Sequence, residues 1–121
     1  MLGYILDDNN NVIAEPNIRK WSAWFERNTI NRRRIVKQET VNNCWVSTVF
    51  LGLDHRFNYN GPNDAPLVFE TMVFYPERCG CDVYSTRTTT WELALQEHQT
   101  GVTFAQNYIP PKEDTTCTTQ T

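Results

Sequence analysis

Two runs of the chain, Cys44 to Leu51 (Cys-Trp-Val-Ser-Thr-Val-Phe-Leu) and Leu67 to Phe74 (Leu-Val-Phe-Glu-Thr-Met-Val-Phe), constrain the fold more than any other feature. Each is short, rich in β-branched and aromatic residues, and apolar on both alternating faces, the pattern of interior strands covered on both sides. They are placed side by side at the centre of a sheet, as a hairpin over 44–53 and 67–75. The segment joining them, residues 54–66, is longer than a hairpin turn needs and rich in Asn, Gly, Pro and Asp, the kind of loop on which functional residues often sit.

The flanking sequence supplies the rest of an α+β domain. Gly3 to Leu6 and Val12 to Ala14 surround the Asx-rich Asp7-Asp8-Asn9-Asn10-Asn11 and read as an N-terminal β-hairpin. Pro16 can occupy a first helical turn, and Ile18, Trp21 and Phe25, with Trp24 alongside, recur at helical spacing, which predicts an amphipathic helix over about 16–28. Residues 33–41 mix β-branched and charged side chains as an edge strand does, and Asn42-Asn43 supplies a turn into the first central strand. Thr89-Thr90-Trp91-Glu92 fits a capping box with Thr89 as N-cap, opening a second helix over about 90–106. Its expected buried stripe is Trp91, Ala94, Leu95, His98, Val102 and Ala105.

The expected architecture is therefore a small antiparallel sheet of three or more strands with two amphipathic helices on one face and an N-terminal hairpin. Residues 1–109 form one domain and 110–121, Thr-rich after Pro110-Pro111, a flexible or extended tail. A chain of 121 residues is long enough for one core and too short for two. The second sheet face needs its own cover, from the hairpin, the tail or a second subunit, so a homo-oligomer is expected.

No window has the run of apolar residues a membrane span requires, and the start lacks the basic and apolar regions of a signal peptide, so no membrane association is expected. Cys44 lies in an apolar run, Cys79 and Cys81 flank one glycine, and Cys117 is in the polar tail. This scatter reads as reduced thiols in a cytoplasmic protein, with no metal centre or cofactor.

Charge is divided unevenly. Residues 19–37 hold seven basic side chains against Glu26 alone, a local excess of +6, while the four basic and thirteen acidic residues elsewhere leave −9. The run Arg32-Arg33-Arg34 could meet phosphates or an acidic protein face, but such runs commonly solvate an edge strand, and in an acidic protein nucleic-acid binding is not expected. These three arginines, with Arg56 and Tyr59 in the long link, are the candidate binding residues.

Four residues are candidates for chemistry: Asp54, His55, Glu70 and His98. Glu70 interrupts a strand between Val68 and Met72, and a carboxylate there must be paired, protonated or solvated from a cleft; a structural arginine partner is the plainer reading. Asp54-His55 follows the first central strand as a base beside an orienting carboxylate, or simply as a turn aspartate beside a surface histidine. His98, on the apolar stripe of the second helix, reads as a core histidine with one satisfied nitrogen. Together the four could make a metal or hydrolytic site, although their spacing does not itself bring them together and lacks the short His or Cys spacing of a metal centre.

The string Trp45-Val46-Ser47-Thr48-Val49-Phe50-Leu51-Gly52-Leu53-Asp54-His55, followed by Pro66 to Phe74, resembles a family of small bacteriophage and prophage proteins of unknown activity. The likeness extends to Trp21 to Glu26 and to Tyr84 through His98, whereas Glu97, Cys79-Gly80-Cys81 and the Thr-rich tail depart from it. The resemblance implies a phage origin and a place in the host cytoplasm, and brings no assigned activity. The expectation is an accessory protein that binds a host protein or small host ligand. The alternatives are a minor virion component and a small hydrolase using the Asp/His/Glu cluster.

Overall fold

The computed structural model describes residues 2–54, 65–78 and 82–111. Strands β1 (Gly3–Leu6) and β2 (Val12–Glu15) form an antiparallel hairpin, followed by helix α1 (Ile18–Ile30). Strands β3 (Ile35–Val41), β4 (Cys44–Phe50), β5 (Phe69–Phe74) and β6 (Asp82–Thr88) make a second sheet in chain order, every neighbouring pair antiparallel, and helix α2 (Trp91–Gln106) follows β6. The fold is α+β, with the central hairpin and the N-terminal hairpin where the sequence puts them. Strand β6 is the addition: Asp82, Ser85 and Arg87 make it polar enough to serve as an edge, and that polarity masks it in the sequence.

Local chemistry explains the turns and helix ends. The Asp7 carboxylate accepts from the backbone amides of Asn9 (2.9 Å) and Asn11 (2.8 Å). These bonds, foremost the one from Asn11, hold its pKa below the usual carboxylate range. Asn42 and Asn43 both adopt positive φ (50° and 64°), as a two-residue turn matched to the twist of its strands requires. The Asn42 side-chain amide also donates to the carbonyl of Ala105 at 3.0 Å, so the β3–β4 turn holds the end of α2.

Both helix starts differ from the sequence reading. Asn17 is the N-cap of α1, its Oδ1 accepting from the amides of Arg19 and Lys20, so Pro16 lies outside the helix. Ile18 is 67% exposed, and the packed face of α1 consists of Trp21, Trp24, Phe25 and the buried Asn28. Helix α2 is capped by Thr90, which accepts from Leu93 N at 3.1 Å. Glu92 is therefore one residue too early to close a capping box. Leu95, placed on the stripe by spacing, is 43% exposed; Ala94, His98, Gly101, Val102 and Ala105 form the buried face.

The core lies between the sheet and α2. One cluster, Tyr4, Leu6, Phe50, Val68, Phe69 and Ala94, joins the hairpin to the first half of α2; a second, Cys44, Val46, Val73, Tyr75, Val102 and Ala105, fills the other end. Gly101 lets α2 approach closely, since a Cβ there would stand 3.1 Å from Thr71 Cγ2 and 3.3 Å from Val46 Cγ1. The hairpin is latched by Trp21, whose indole N–H is shared between the carbonyls of Tyr4 and Gly52, both at 3.1 Å. Gly3 is necessary beneath that ring, because a Cβ would fall 2.4 Å from Trp21 Cδ1.

Helix α2 crosses all four strands of the larger sheet, whereas α1 packs mainly against the hairpin and reaches the α2 side of the core at its edge, where Trp24 meets Phe50 edge-on. The hairpin joins the α2 side of the core and leaves the opposite face uncovered by any described helix.

Candidate functional site

Strand alternation gives the larger sheet two faces of different chemistry. The face under α2 carries a chain of four polar side chains. Thr71 Oγ1 and Thr48 Oγ1, on adjacent strands β5 and β4, lie 2.7 Å apart; Thr48 Oγ1 lies 2.8 Å from His98 Nδ1; and His98 Nε2 lies 2.7 Å from Glu39 Oε2 on β3. An ionised carboxylate can only accept, so the His98 Nε2 hydrogen donates to Glu39. With the ring neutral, the donors run in one direction from Thr71 through Thr48 and His98 to Glu39, and each link in the chain is satisfied. The bond from His98, with Lys37 at 3.6 Å, holds the Glu39 pKa below the usual carboxylate range. Glu39 alone reaches solvent, its side chain 35% exposed, while Thr48, Thr71 and His98 are buried. The Thr48 hydroxyl therefore cannot meet a substrate, and the chain acts as an ordered polar core that fixes the register of α2 on the sheet.

Of the residues proposed for chemistry, Glu70 and His98 do not come together. Glu70 lies on the face opposite His98, since its neighbour Thr71 points to α2, and it accepts from Arg87 Nε at 3.1 Å on the next strand. It is thus partnered by an arginine in a half-buried setting, its side chain 18% exposed. Asp54 is buried and accepts from the Leu67 amide at 3.2 Å, tying together the two ends of the long link. His55, Arg56 and Tyr59 lie outside the described residues, as do Cys79, Cys81 and Cys117. Cys44 is a buried free thiol whose pKa is raised by burial. Among the described residues no group of three or more His, Cys, Asp or Glu side chains is arranged to hold a metal ion.

Two of the three arginines in the basic run have internal partners. Arg33 donates to Asn10 Oδ1 at 2.9 Å and to the Asp7 carbonyl, joining the hairpin turn to the α1–β3 connection. Arg34 donates from Nε to the Phe50 carbonyl at 3.0 Å and lies 3.9 Å over the Phe25 ring. Arg32 is exposed, with a positive φ of 64°. The exposed basic side chains of residues 19–37 are therefore Arg32, Lys37 beside Glu39, and Arg19, Lys20 and Arg27 on the outside of α1.

The sheet face away from α2 is the larger candidate surface. Trp45, Val49, Met72 and Phe74 project from the two central strands, with Trp45 37% exposed and the other three half-buried. The Glu70–Arg87 pair borders them on one side and Gln38, bonded to Ser47 at 2.9 Å, on the other. The sequence points to this face through the apolar alternation of both strands, but it does not reveal the Thr48–His98–Glu39 chain. The missing link is Glu39, whose place beside His98 depends on strand register and helix placement together.

Together these features define a small domain in which one helix crosses a four-stranded antiparallel meander and no described helix covers the apolar sheet face on the other side. No protein-family model, no curated protein and no solved structure matches the chain.

Proposed function

We propose that this is a phage-encoded accessory protein that works in the host cytoplasm by binding a host protein, and that the sheet face opposite α2 is its docking surface. The observation that carries this reading is the surface formed by Trp45, Val49, Met72 and Phe74, which no described helix covers. A tryptophan, a methionine and a phenylalanine beside an arginine–glutamate pair have the composition of a protein interface, with apolar anchors inside a polar rim. The resemblance of Trp45 to His55 and Pro66 to Phe74 to phage proteins supports the setting. A hydrolytic centre combining Glu70 with His98 is incompatible with this geometry, because the sheet separates them.

Trp45→Glu and Met72→Lys test the proposal. Both side chains leave the α2 core untouched, so each variant should keep its far-ultraviolet circular dichroism while losing the partner that tagged wild-type protein retains in infected cells. Undiminished recovery of the same partner by both folded variants would reject this surface. Recovery of the protein in purified particles by mass spectrometry would favour a virion component instead.

A further inference from the structure

Where strand β6 meets the C-terminal half of α2, the surface opens into a cleft of about 540 Å³. Three aromatic rings stack along it. The ring centroids of Tyr84 on β6 and Phe104 on α2 are 5.1 Å apart at 30°, and those of Phe104 and Tyr108 are 5.9 Å apart at 35°. Ile109, 86% exposed, also lines the cleft. Strand β6 is the last of its sheet, and among the described residues no strand pairs with its outer edge. Such an edge offers main-chain donors and acceptors to an extended chain.

The polar groups lining this cleft favour a ligand that donates. Thr100 Oγ1 gives its hydrogen to the Gln96 carbonyl (3.3 Å) and Thr103 Oγ1 to the Gln99 carbonyl (3.1 Å), so both hydroxyls keep only lone pairs to offer. Asn107 spends an amide hydrogen on the Thr103 carbonyl at 2.8 Å. The surrounding charge has the matching sign. The Tyr84 hydroxyl donates to Glu97 at 3.4 Å, and the hydroxyl of Tyr75, whose ring meets Tyr108, donates to Glu77 at 2.9 Å. A carboxylate therefore stands at each end of the ring cluster. The last turn of α2 has no basic residue to offset the negative end of the helix dipole.

We infer that the cleft between β6 and α2 binds an extended, arginine-bearing segment of a partner protein, which adds to the sheet beside β6 and lays one guanidinium against the Tyr84–Phe104–Tyr108 stack. A guanidinium is planar, stacks on aromatic faces, and carries several N–H donors with no acceptor. It thus meets the near-parallel rings, the accepting hydroxyls and the flanking carboxylates at once. An aliphatic side chain would meet only the rings, and an acidic one would be repelled. Main-chain pairing with β6 makes the ligand a peptide rather than a small cation. The cleft lies on the α2 side of the sheet, away from Trp45 and Met72, so the inference does not rest on the proposed docking face.

Amide NMR of the full chain tests this, with end-blocked pentapeptide pools of valine and threonine around one fixed central residue as probes. The arginine pool should shift the amides of β6 and of residues 103–108, slow hydrogen exchange along β6, and bind at least about tenfold more tightly than the glutamate pool. Glu97→Lys reverses a flanking charge, and Thr103→Arg, at an exposed position, sets a guanidinium of the chain's own in the cleft. Each should weaken arginine-pool binding by at least about tenfold with circular dichroism unchanged. No shifts with the arginine pool would overturn the inference, as would equal affinity for the glutamate pool or binding indifferent to both variants. Binding matched by acetyl-arginine amide alone, with exchange in β6 unaltered, would mean a small-cation site and overturn strand addition. Trp45→Glu should bind the arginine pool as wild type does; loss of binding there would place the peptide on the opposite sheet face and overturn the assignment to this cleft.

Discussion

Thr48 occupies a place where a single hydroxyl serves two neighbours, the Thr71 hydroxyl and the His98 ring, inside an otherwise apolar layer. Valine has the same shape without the hydroxyl. Thr48→Val should therefore cost about 1–3 kcal/mol, the penalty for leaving a buried polar group without its partner, and Thr48→Ser should recover much of it; chemical denaturation would measure both. Glu39 adds a pH dependence of definite sign. Its pKa is lowered in the fold, so the stability it contributes is fully present above the ordinary value of 4.5 and is lost as pH falls through the lower folded value. Glu39→Gln keeps an acceptor but cannot titrate. The stability difference between wild type and this variant should be largest near neutrality and shrink in that acid window, as melting curves across the range would show. An unchanged difference down to strongly acid pH would mean that Glu39 is not the titrating group.

The helices show how far local pattern can be trusted. Thr89 and Thr90 are adjacent, and both are good caps; what selects Thr90 is the rotation of α2 that places His98 and Gly101 on the sheet, a constraint absent from the local sequence. Thr90→Ala should cost about 0.5–2 kcal/mol and Thr89→Ala much less, a contrast measurable by thermal melting of the two variants. The same limit explains α1, where the apolar spacing enlists Ile18 while the hairpin packs only against the face containing Trp21 and Phe25. The two central strands were legible because their sequences are apolar throughout. Edge strand β6 was not, because its alternation is largely polar.

For the whole molecule, the central strands are apolar on both faces, yet a helix covers one face and no described helix covers the other. The sequence announced a need for cover without specifying the occupant, since burial within a chain and burial against a partner select the same residues. The polar chain under α2 was legible only in part: His98 stood out on its stripe, but Glu39 lies 59 positions away and Thr48 resembles any β-branched strand residue. A similar long reach appears at Asn42, whose amide meets the carbonyl of Ala105, 63 positions along the chain. Helix ends ordinarily fray because their last carbonyls lack partners. Here a strand-to-strand turn supplies one, so the last turn of α2 and the β3–β4 turn should lose order together. Asn42→Gly preserves the positive φ but removes the amide, and should speed hydrogen exchange at Asn107 and Tyr108 while leaving the β3–β4 ladder protected. Equal protection in both proteins would show that the turn and the helix end open independently.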